Sequence, residues 1–145
     1  MLRMISDGCI RREGDYMRIT GLNHITINVT DLEASLRFYT DVLELQELNE
    51  IDMGDHTLTY FELPQHVRLE LLNFREKGPV IRHRENAVGI YRHFCLETDD
   101  LEELAERCRN SHVIISKEPS YVEKLGCSTM LLIDPNGVEI EAIQR

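Results

Sequence analysis

The chain has 145 residues, of which 42% are hydrophobic and 29% charged, a composition that can supply one globular core. It carries 16 basic and 26 acidic residues and a formal net charge of −10, which argues against nucleic acid as a partner because phosphate backbones are bound by basic surfaces. No apolar run approaches the ~20 residues that a membrane-spanning helix needs, so no membrane partner is expected.

Residues 1–20 show none of the periodicity of the later sequence and contain no continuous apolar segment of the secretory type. We predict a poorly ordered N-terminal extension, within which Met17 could serve as an alternative start. The cysteines have spacings that match no paired metal-binding motif; they are Cys9, Cys95, Cys108 and Cys127. Free thiols and a cytoplasmic location are therefore expected.

The first half of the chain predicts a strand, a helix and three further strands. In the first strand, Asn23–Val29, apolar residues alternate with polar ones. The sequence Thr30-Asp31-Leu32-Glu33 has the pattern of a capping box, and the apolar residues that follow at spacings of four, three and four predict a helix. Three more strands are predicted over Leu48–Ile51, Thr57–Leu63 and Val67–Phe74.

The same order of patterns returns after a connector over residues 77–90. The predicted elements are a strand over Tyr91–Glu97, a helix capped within Asp99–Glu102, and strands over Val113–Ser116, Thr129–Ile133 and Val138–Ile143. The helix would turn Leu101, Leu104, Ala105 and Cys108 inward. Asp134-Pro135-Asn136-Gly137 predicts a hairpin turn before the last strand.

The two halves align at an offset of 69 positions, which pairs His24 with His93 and Asp31 with Asp100. An internal repeat of this kind indicates two copies of one supersecondary unit. We therefore predict an α+β fold in which two βαβββ modules, over residues 21–76 and 91–145, form a concave, open-barrel sheet with helices outside.

Two histidines and two acids occupy matching places in the predicted modules. His24 and His93 lie on the non-apolar faces of the opening strands, and each closing strand carries an acid on such a face: Glu70 in the first module, Glu139 or Glu141 in the second. Singly, each is more often an ordinary surface residue. Their recurrence favours a site for one divalent metal ion, for which Zn, Ni, Co, Mn and Fe all accept nitrogen and oxygen ligands.

Three further residues share these faces and are candidates for substrate binding. Thr26 and Asn28 lie on the face of His24, where the simpler interpretation is a polar sheet surface. Cys95 lies on the face of His93, and its preferred interpretation is a small buried core residue.

The opening run Leu22–Val29, with Asp31-Leu32-Glu33, and the closing run Asp134–Glu141 resemble the vicinal oxygen chelate superfamily. This superfamily includes glyoxalase I, bleomycin- and fosfomycin-resistance proteins, methylmalonyl-CoA epimerase and extradiol dioxygenases. The resemblance covers about residues 18–145. It implies metal ligands at His24, His93 and Glu141, with Glu70 matching the first-module acid of glyoxalase I. The offset of 69 would instead select Glu139, but we prefer Glu141 because the register of the hairpin fixes which residue faces inward near the turn.

This resemblance implies a metal-dependent enzyme of the glyoxalase I-like type. Such an enzyme isomerises a small substrate, a hemithioacetal of an α-keto aldehyde or an epimerase-type substrate, through an enediolate whose charge the cation stabilises. Glu141 and Glu70 are the candidate bases. Asn28 and Gly89 stand where mammalian-type glyoxalase I has arginines, which puts glutathione recognition in doubt.

Two alternatives remain. The first is a fosfomycin-resistance type of thiol or water addition to an epoxide, which needs only His24, His93 and Glu141. The second is a non-catalytic protein that binds a small molecule such as a drug on the same scaffold. The resemblance also implies a homodimer, with the site either inside one chain or shared between two.

Overall fold

The computed structural model describes residues 3–4, 10–11, 21–81, 88–89 and 91–145. Near the start of the chain, strands β1 (Arg3–Met4) and β2 (Ile10–Arg11) pair antiparallel. The rest of the predicted N-terminal extension, including Met17, lies outside the described residues, as does the middle of the connector. The domain boundaries therefore stay predictions.

The first module is a four-stranded mixed sheet with one helix. Its strands are β3 (His24–Asn28), β4 (Glu47–Asp52), β5 (His56–Glu62) and β6 (Arg68–Phe74), and helix α1 (Leu32–Arg37) continues into a wider π-helical turn over Phe38–Val42. A single 3₁₀ turn, Pro64–His66, joins β5 to β6. The strand order is β3-β6-β5-β4, and the first and last strands of the module run parallel.

The second module repeats this arrangement. Its elements are β7 (His93–Glu97), α2 (Leu101–Asn110), β8 (Ile114–Val122), β9 (Cys127–Ile133) and β10 (Glu139–Gln144), in the strand order β7-β10-β9-β8. The first and last strands of the module, β7 and β10, are again parallel neighbours. The predicted fold class of two βαβββ modules is confirmed, and the two sheets do not close on each other.

Both helices begin at an aspartate whose side chain accepts a hydrogen bond from the helix backbone. Asp31 accepts from the Ala34 N–H and Asp100 from the Glu103 N–H, each at 3.0 Å. The first cap lies one residue later than the predicted capping box. Thr30 does not cap the helix, because its backbone N–H and its hydroxyl both donate hydrogen bonds to the side-chain oxygen of Asn136.

Strand β8 is longer than the sequence predicted. It continues beyond Ser116 to Val122 because it pairs with β9 across two shifts in register, one on each side of Lys117. Pro119 falls within the second irregular stretch, on an edge strand where a missing N–H leaves no ladder bond unmade.

One apolar core runs through both modules. Ile27 and Val29 are buried from β3, and the predicted inward positions of α2 are buried at Leu101, Ala105 and Cys108. No helix in the described ranges is long and apolar enough to cross a membrane. Each sheet packs one face against this core, so the residues on its other, more polar face are the candidates for a functional site.

Candidate functional site

The parallel pairing of β3 with β6 gathers the first group of predicted site residues. Thr26 lies opposite Glu70 in the strand register, so both share a sheet face with His24. Glu70 is only 6% exposed, and its carboxylate accepts a hydrogen bond from the Thr26 hydroxyl at 2.9 Å. Tyr60, opposite Glu70 on β5, also hydrogen-bonds to this carboxylate, which raises the pKa of the phenol.

Glu70 has hydroxyl partners but forms no ion pair with any described residue. Arg68, on the same sheet face, stacks over the ring of Tyr60 at 4.7 Å and does not pair with Glu70. The buried Glu70 carboxylate is therefore available to bind a cation. His24 is exposed, and its Nδ1 lies 2.7 Å from the side-chain oxygen of Asn23. That contact makes Nδ1 the donor and leaves Nε2 as the nitrogen with a free lone pair.

The parallel pairing of β7 with β10 gathers the second group. His93 lies opposite Glu139, and Cys95 lies opposite Glu141. The ring of His93 contacts both acids: Nε2 is 3.1 Å from Glu141 Oε2, and Nδ1 is 3.3 Å from Glu139 Oε1. Since the two carboxylates approach different ring nitrogens, they do not converge on one point.

The strand register identifies the second-module equivalent of Glu70, and it is a different residue from the one that the sequence offset selects. Glu70 lies opposite Thr26, two residues beyond His24, and Glu141 lies opposite Cys95, two residues beyond His93. Glu141 is thus the counterpart of Glu70. Glu139 instead occupies the register position of Arg68, which lies opposite His24.

Cys95 is exposed on the sheet face, so its interpretation as a buried core residue is wrong. The strand alternation is regular here, and Phe94 takes the buried side. Partial burial of the thiol, together with the nearby charge of Glu141 and a hydrogen bond to it, raises the pKa of Cys95 to about 11. Cys95 is therefore a neutral donor beside Glu141, as Thr26 is beside Glu70.

The predicted substrate-binding residues divide between two places. Thr26 and Asn28 line a cavity of about 860 Å³ beside β3, whose other walls include Lys77, Tyr91 and Asn136. Cys95 lies on the other sheet and does not line this cavity. The cavity is adjacent to the first His–Glu pair but contains neither histidine in its walls.

The four predicted metal ligands divide between the two sheets. His24 and Glu70 share a face of one sheet, and His93 and Glu141, with Nε2 and Oε2 3.1 Å apart, share a face of the other. In the part of the chain that the structure describes, no three His, Cys, Asp or Glu side chains form a group that could hold a metal ion. Each pair nevertheless supplies one imidazole and one carboxylate, which is half of an N₂O₂ set suited to a divalent transition metal. By donor chemistry, the residues fit such an ion if the two pairs are brought together.

Sequence reasoning missed two residues of these groups, Arg92 and Tyr60. The predicted strand Tyr91–Glu97 would place Arg92 on the face opposite His93, but β7 begins only at His93 and Arg92 lies just before it. The Arg92 guanidinium contacts Glu139, with Nε at 2.7 Å and Nη2 at 3.2 Å from the carboxylate oxygens. Tyr60 could have been found, because Tyr60 and Glu70 stand at equal distances from Gln65 in the turn and therefore face each other across the antiparallel pair.

Comparisons with known proteins agree with this architecture. A family model described as Glyoxalase/Bleomycin resistance protein/Dioxygenase superfamily matches residues 21–142. The chain is 30% identical to the mitochondrial methylmalonyl-CoA epimerase of Dictyostelium discoideum over 86% of this chain and 78% of that protein.

A lactoylglutathione lyase and a glyoxalase I are also similar. A lactoylglutathione lyase of Arabidopsis thaliana is 26% identical over 84% of this chain, which spans only 43% of that relative's length. The structure of the trypanothione-dependent glyoxalase I of Leishmania major superposes with a TM-score of 0.67 at 26% identity, covering 86% of both chains.

Proposed function

The chain belongs to the Glyoxalase/Bleomycin resistance protein/Dioxygenase superfamily, and from that premise we propose that it is a divalent-metal-dependent isomerase that moves a proton on a carbon next to a carbonyl group. The substrate is a small molecule with two adjacent oxygens. The candidate classes are a hemithioacetal of an α-keto aldehyde and an acyl thioester of the epimerase type.

One observation carries the proposal: each module presents a histidine and a glutamate on the same polar sheet face, two positions apart in the strand register. Matched strand register produces both pairs, and Glu141 is the counterpart of Glu70. Two unrelated surface pairs would have no reason to recur at equivalent register. Glu70 is buried and forms no ion pair with any residue that the structure describes, which adds a reason for a cation at this position.

We propose that two copies of the chain complete the site. The described part of one chain keeps the two pairs apart. A homodimer with two-fold symmetry can place His24 and Glu70 of one copy against His93 and Glu141 of the other, and symmetry then creates two such sites. The strands β3 and β7 that carry the histidines are edge strands, so both are available to a second copy.

A bound divalent ion would act as a Lewis acid that stabilises negative charge on substrate oxygen. The chain's own part is proton transfer. A carboxylate of Glu70 or Glu141 takes the proton from the carbon next to the carbonyl, and the resulting carboxylic acid returns it. Return to the neighbouring carbon gives isomerisation, whereas return to the opposite face of the same carbon gives epimerisation. Thr26 and Tyr60 orient Glu70 during both steps.

The two alternatives differ from this proposal in what they need. Thiol or water addition to an epoxide requires only three ligands, and it leaves the buried Glu70 without a role. A non-catalytic binding protein requires neither histidine. Both alternatives therefore predict that Glu70→Gln leaves function intact, whereas the isomerase proposal predicts its loss.

The first test is metal content by mass spectrometry of the purified protein after incubation with Zn²⁺, Ni²⁺ or Mn²⁺ and removal of free ions. We expect about one ion per chain, as each of two symmetric sites in a dimer would hold one. His93→Ala should lose the ion because it removes one of four ligands. His112→Ala, which removes an exposed histidine in a turn, is the matched control and should retain it.

Wild-type protein that binds no ion under these conditions would overturn the metal-dependent proposal. A protein that binds the ion is then assayed with methylglyoxal hemithioacetals of several thiols and with a racemic acyl-CoA substrate in deuterated water. Deuterium incorporation next to the carbonyl reports proton abstraction in either reaction. No incorporation with any of these substrates would leave a metal-binding protein and remove the isomerase.

A further inference from the structure

Glu139 was the competing choice for the second-module ligand, and its contacts give it another role. Arg92 occupies both of its carboxylate oxygens, with Nε 2.7 Å from Oε1 and Nη2 3.2 Å from Oε2. The Glu139 side chain is 12% exposed, half the exposure of Glu141 at 23%. A carboxylate held by a guanidinium in this way is poorly placed to bind an ion as well.

Glu139 also contacts the nitrogen of His93 that faces away from Glu141. Nδ1 of His93 lies 3.3 Å from Glu139 Oε1, while Nε2 lies 3.1 Å from Glu141 Oε2. Both carboxylates only accept hydrogen bonds, but the Nδ1–Glu139 contact has the geometry of a hydrogen bond, whereas Nε2 and Glu141 are close without that alignment. A neutral His93 therefore keeps its proton on Nδ1. The lone pair is then on Nε2, next to Glu141.

From these contacts we infer that the Arg92–Glu139 pair is a positioning device that fixes the tautomer and ring orientation of His93. Histidine ligands of metal ions commonly donate their second N–H to a carboxylate or carbonyl, which raises their basicity. Arg92 restrains the carboxylate, and the carboxylate restrains the imidazole. The inference rests on the proposed metal site for its purpose, but the tautomer itself is a property of the metal-free chain.

The two modules achieve this orientation differently. In the first module the residue before the histidine, Asn23, accepts directly from His24 Nδ1 at 2.7 Å. In the second module the residue before the histidine, Arg92, acts through Glu139. His93 therefore has a charged acceptor and His24 a neutral one, so His93 is expected to be the stronger ligand of the two.

The test is the tautomer of His93 in metal-free, ¹⁵N-histidine-labelled protein, measured by long-range ¹H–¹⁵N correlation at about pH 9, well above the ordinary histidine pKa of about 6.5. The His93 signal is identified by its loss in His93→Asn. We expect the Nδ1–H tautomer in the wild type and a mixture in Glu139→Gln, because a carboxamide can donate as well as accept. If Glu139→Gln does not fold, Arg92→Gln should shift the populations in the same direction by a smaller amount.

Zinc affinity provides the second readout. Glu139→Gln should weaken Zn²⁺ binding by roughly 10–100-fold, the range typical of an outer partner of a ligand, and Glu141→Gln should weaken it more. Glu118→Gln, which breaks a carboxylate–Arg109 pair far from His93, is the control and should match the wild type in both readouts.

The outcomes separate the two proposals. A tautomer change in a protein that binds no Zn²⁺ supports the positioning role and removes the metal-dependent function. Zn²⁺ binding with the same His93 tautomer in wild type and Glu139→Gln overturns the positioning role alone. Loss of Zn²⁺ in Glu139→Gln with full binding in Glu141→Gln also overturns it, because Glu139 would then be the ligand.

Discussion

At the scale of single residues, each polar sheet face places a neutral polar side chain beside a carboxylate. The carboxylates of Glu70 and Glu141 each have a neutral donor on the adjacent strand, a hydroxyl from Thr26 and a thiol from Cys95. The donor stabilises the acid without cancelling its charge. A cysteine in this place is therefore expected to behave as a hydrogen-bond donor and to be a poor nucleophile.

The reactivity of Cys95 follows from its pKa of about 11, which partial burial and then the charge of Glu141 raise. At pH 8 only about 0.1% of this thiol is ionised, against roughly a quarter of an ordinary thiol with a pKa near 8.5. Alkylation by iodoacetamide in chelator-treated protein should therefore be slow at pH 8 and rise steadily up to about pH 11. Peptide mass spectrometry over this pH range measures it.

Two variants sharpen this prediction. Glu141→Gln removes the neighbouring negative charge, so it should move the alkylation profile of Cys95 toward lower pH, and Cys95→Ser identifies the modified site. If Cys95 is alkylated at pH 8 as fast as glutathione, its pKa is not raised, because slow alkylation of this exposed thiol is expected only from its protonation.

At the scale of elements, the turn Asp134–Gly137 does more than connect β9 to β10. Asp134, only 4% exposed, accepts hydrogen bonds from the N–H groups of Asn136 and Val138 and from the hydroxyl of Tyr39, each at 2.8 Å. Tyr39 belongs to the first module, in the π-helical turn after α1. This turn of the second module is thereby fixed to the helix of the first.

This contact predicts a loss of stability at alkaline pH. Burial, followed by the charge of Asp134 and a hydrogen bond to it, raises the pKa of Tyr39 well above its ordinary value of 10. The native phenol keeps its proton when the unfolded one has lost it, so the stabilisation is complete below pH 10 and falls as the pH rises further. Tyr39→Phe should be less stable at pH 7 by about 1–3 kcal/mol, since Asp134 loses a donor.

Urea unfolding at pH 7, 9 and 10.5 measures this effect. The difference in the free energy of unfolding between wild type and Tyr39→Phe should be constant from pH 7 to 9 and should shrink at pH 10.5. Tyr121→Phe changes an exposed tyrosine of β8 and should show neither effect. A difference that stays constant through pH 10.5 would show that Tyr39 ionises equally in both states.

Element type and order were predictable because both depend on periodicity that is local in sequence. The alternation at Ile25, Ile27 and Val29 and the apolar spacing of α2 each predicted the correct buried face. The far end of β8 was not predictable, because its pairing with β9 depends on two register shifts. The counterpart of Glu70 was likewise ambiguous. The opening strands of the two modules are related by an offset of 69, but the last two strands of each module are related by a different offset, so the first offset pointed to Glu139.

At the scale of the whole molecule, two similar modules place one histidine and one glutamate of the proposed site on each of two sheets. His24 and Glu70 lie in one sheet and His93 and Glu141 in the other, on sheets that do not close on each other. The position of the complete site is thus a question about assembly. A shared site and an internal site make opposite predictions for mixtures of inactive chains.

Mixing His24→Ala with His93→Ala distinguishes the two arrangements. In a two-fold dimer that shares its sites, each variant alone has both sites damaged. A mixed dimer concentrates both substitutions in one site and leaves the other with all four ligands. Random exchange of subunits at equal concentration gives half mixed dimers, so about a quarter of the wild-type Zn²⁺ capacity and activity should return. Denaturation and joint refolding, followed by metal analysis of the dimer isolated by size exclusion, measures the recovery.

His24→Ala mixed with the double variant His24→Ala/His93→Ala is the control, because no mixed dimer there contains an intact site. If the first mixture recovers no more than the control while mixed dimers are present, the four residues must meet within one chain, and the shared-site proposal is wrong.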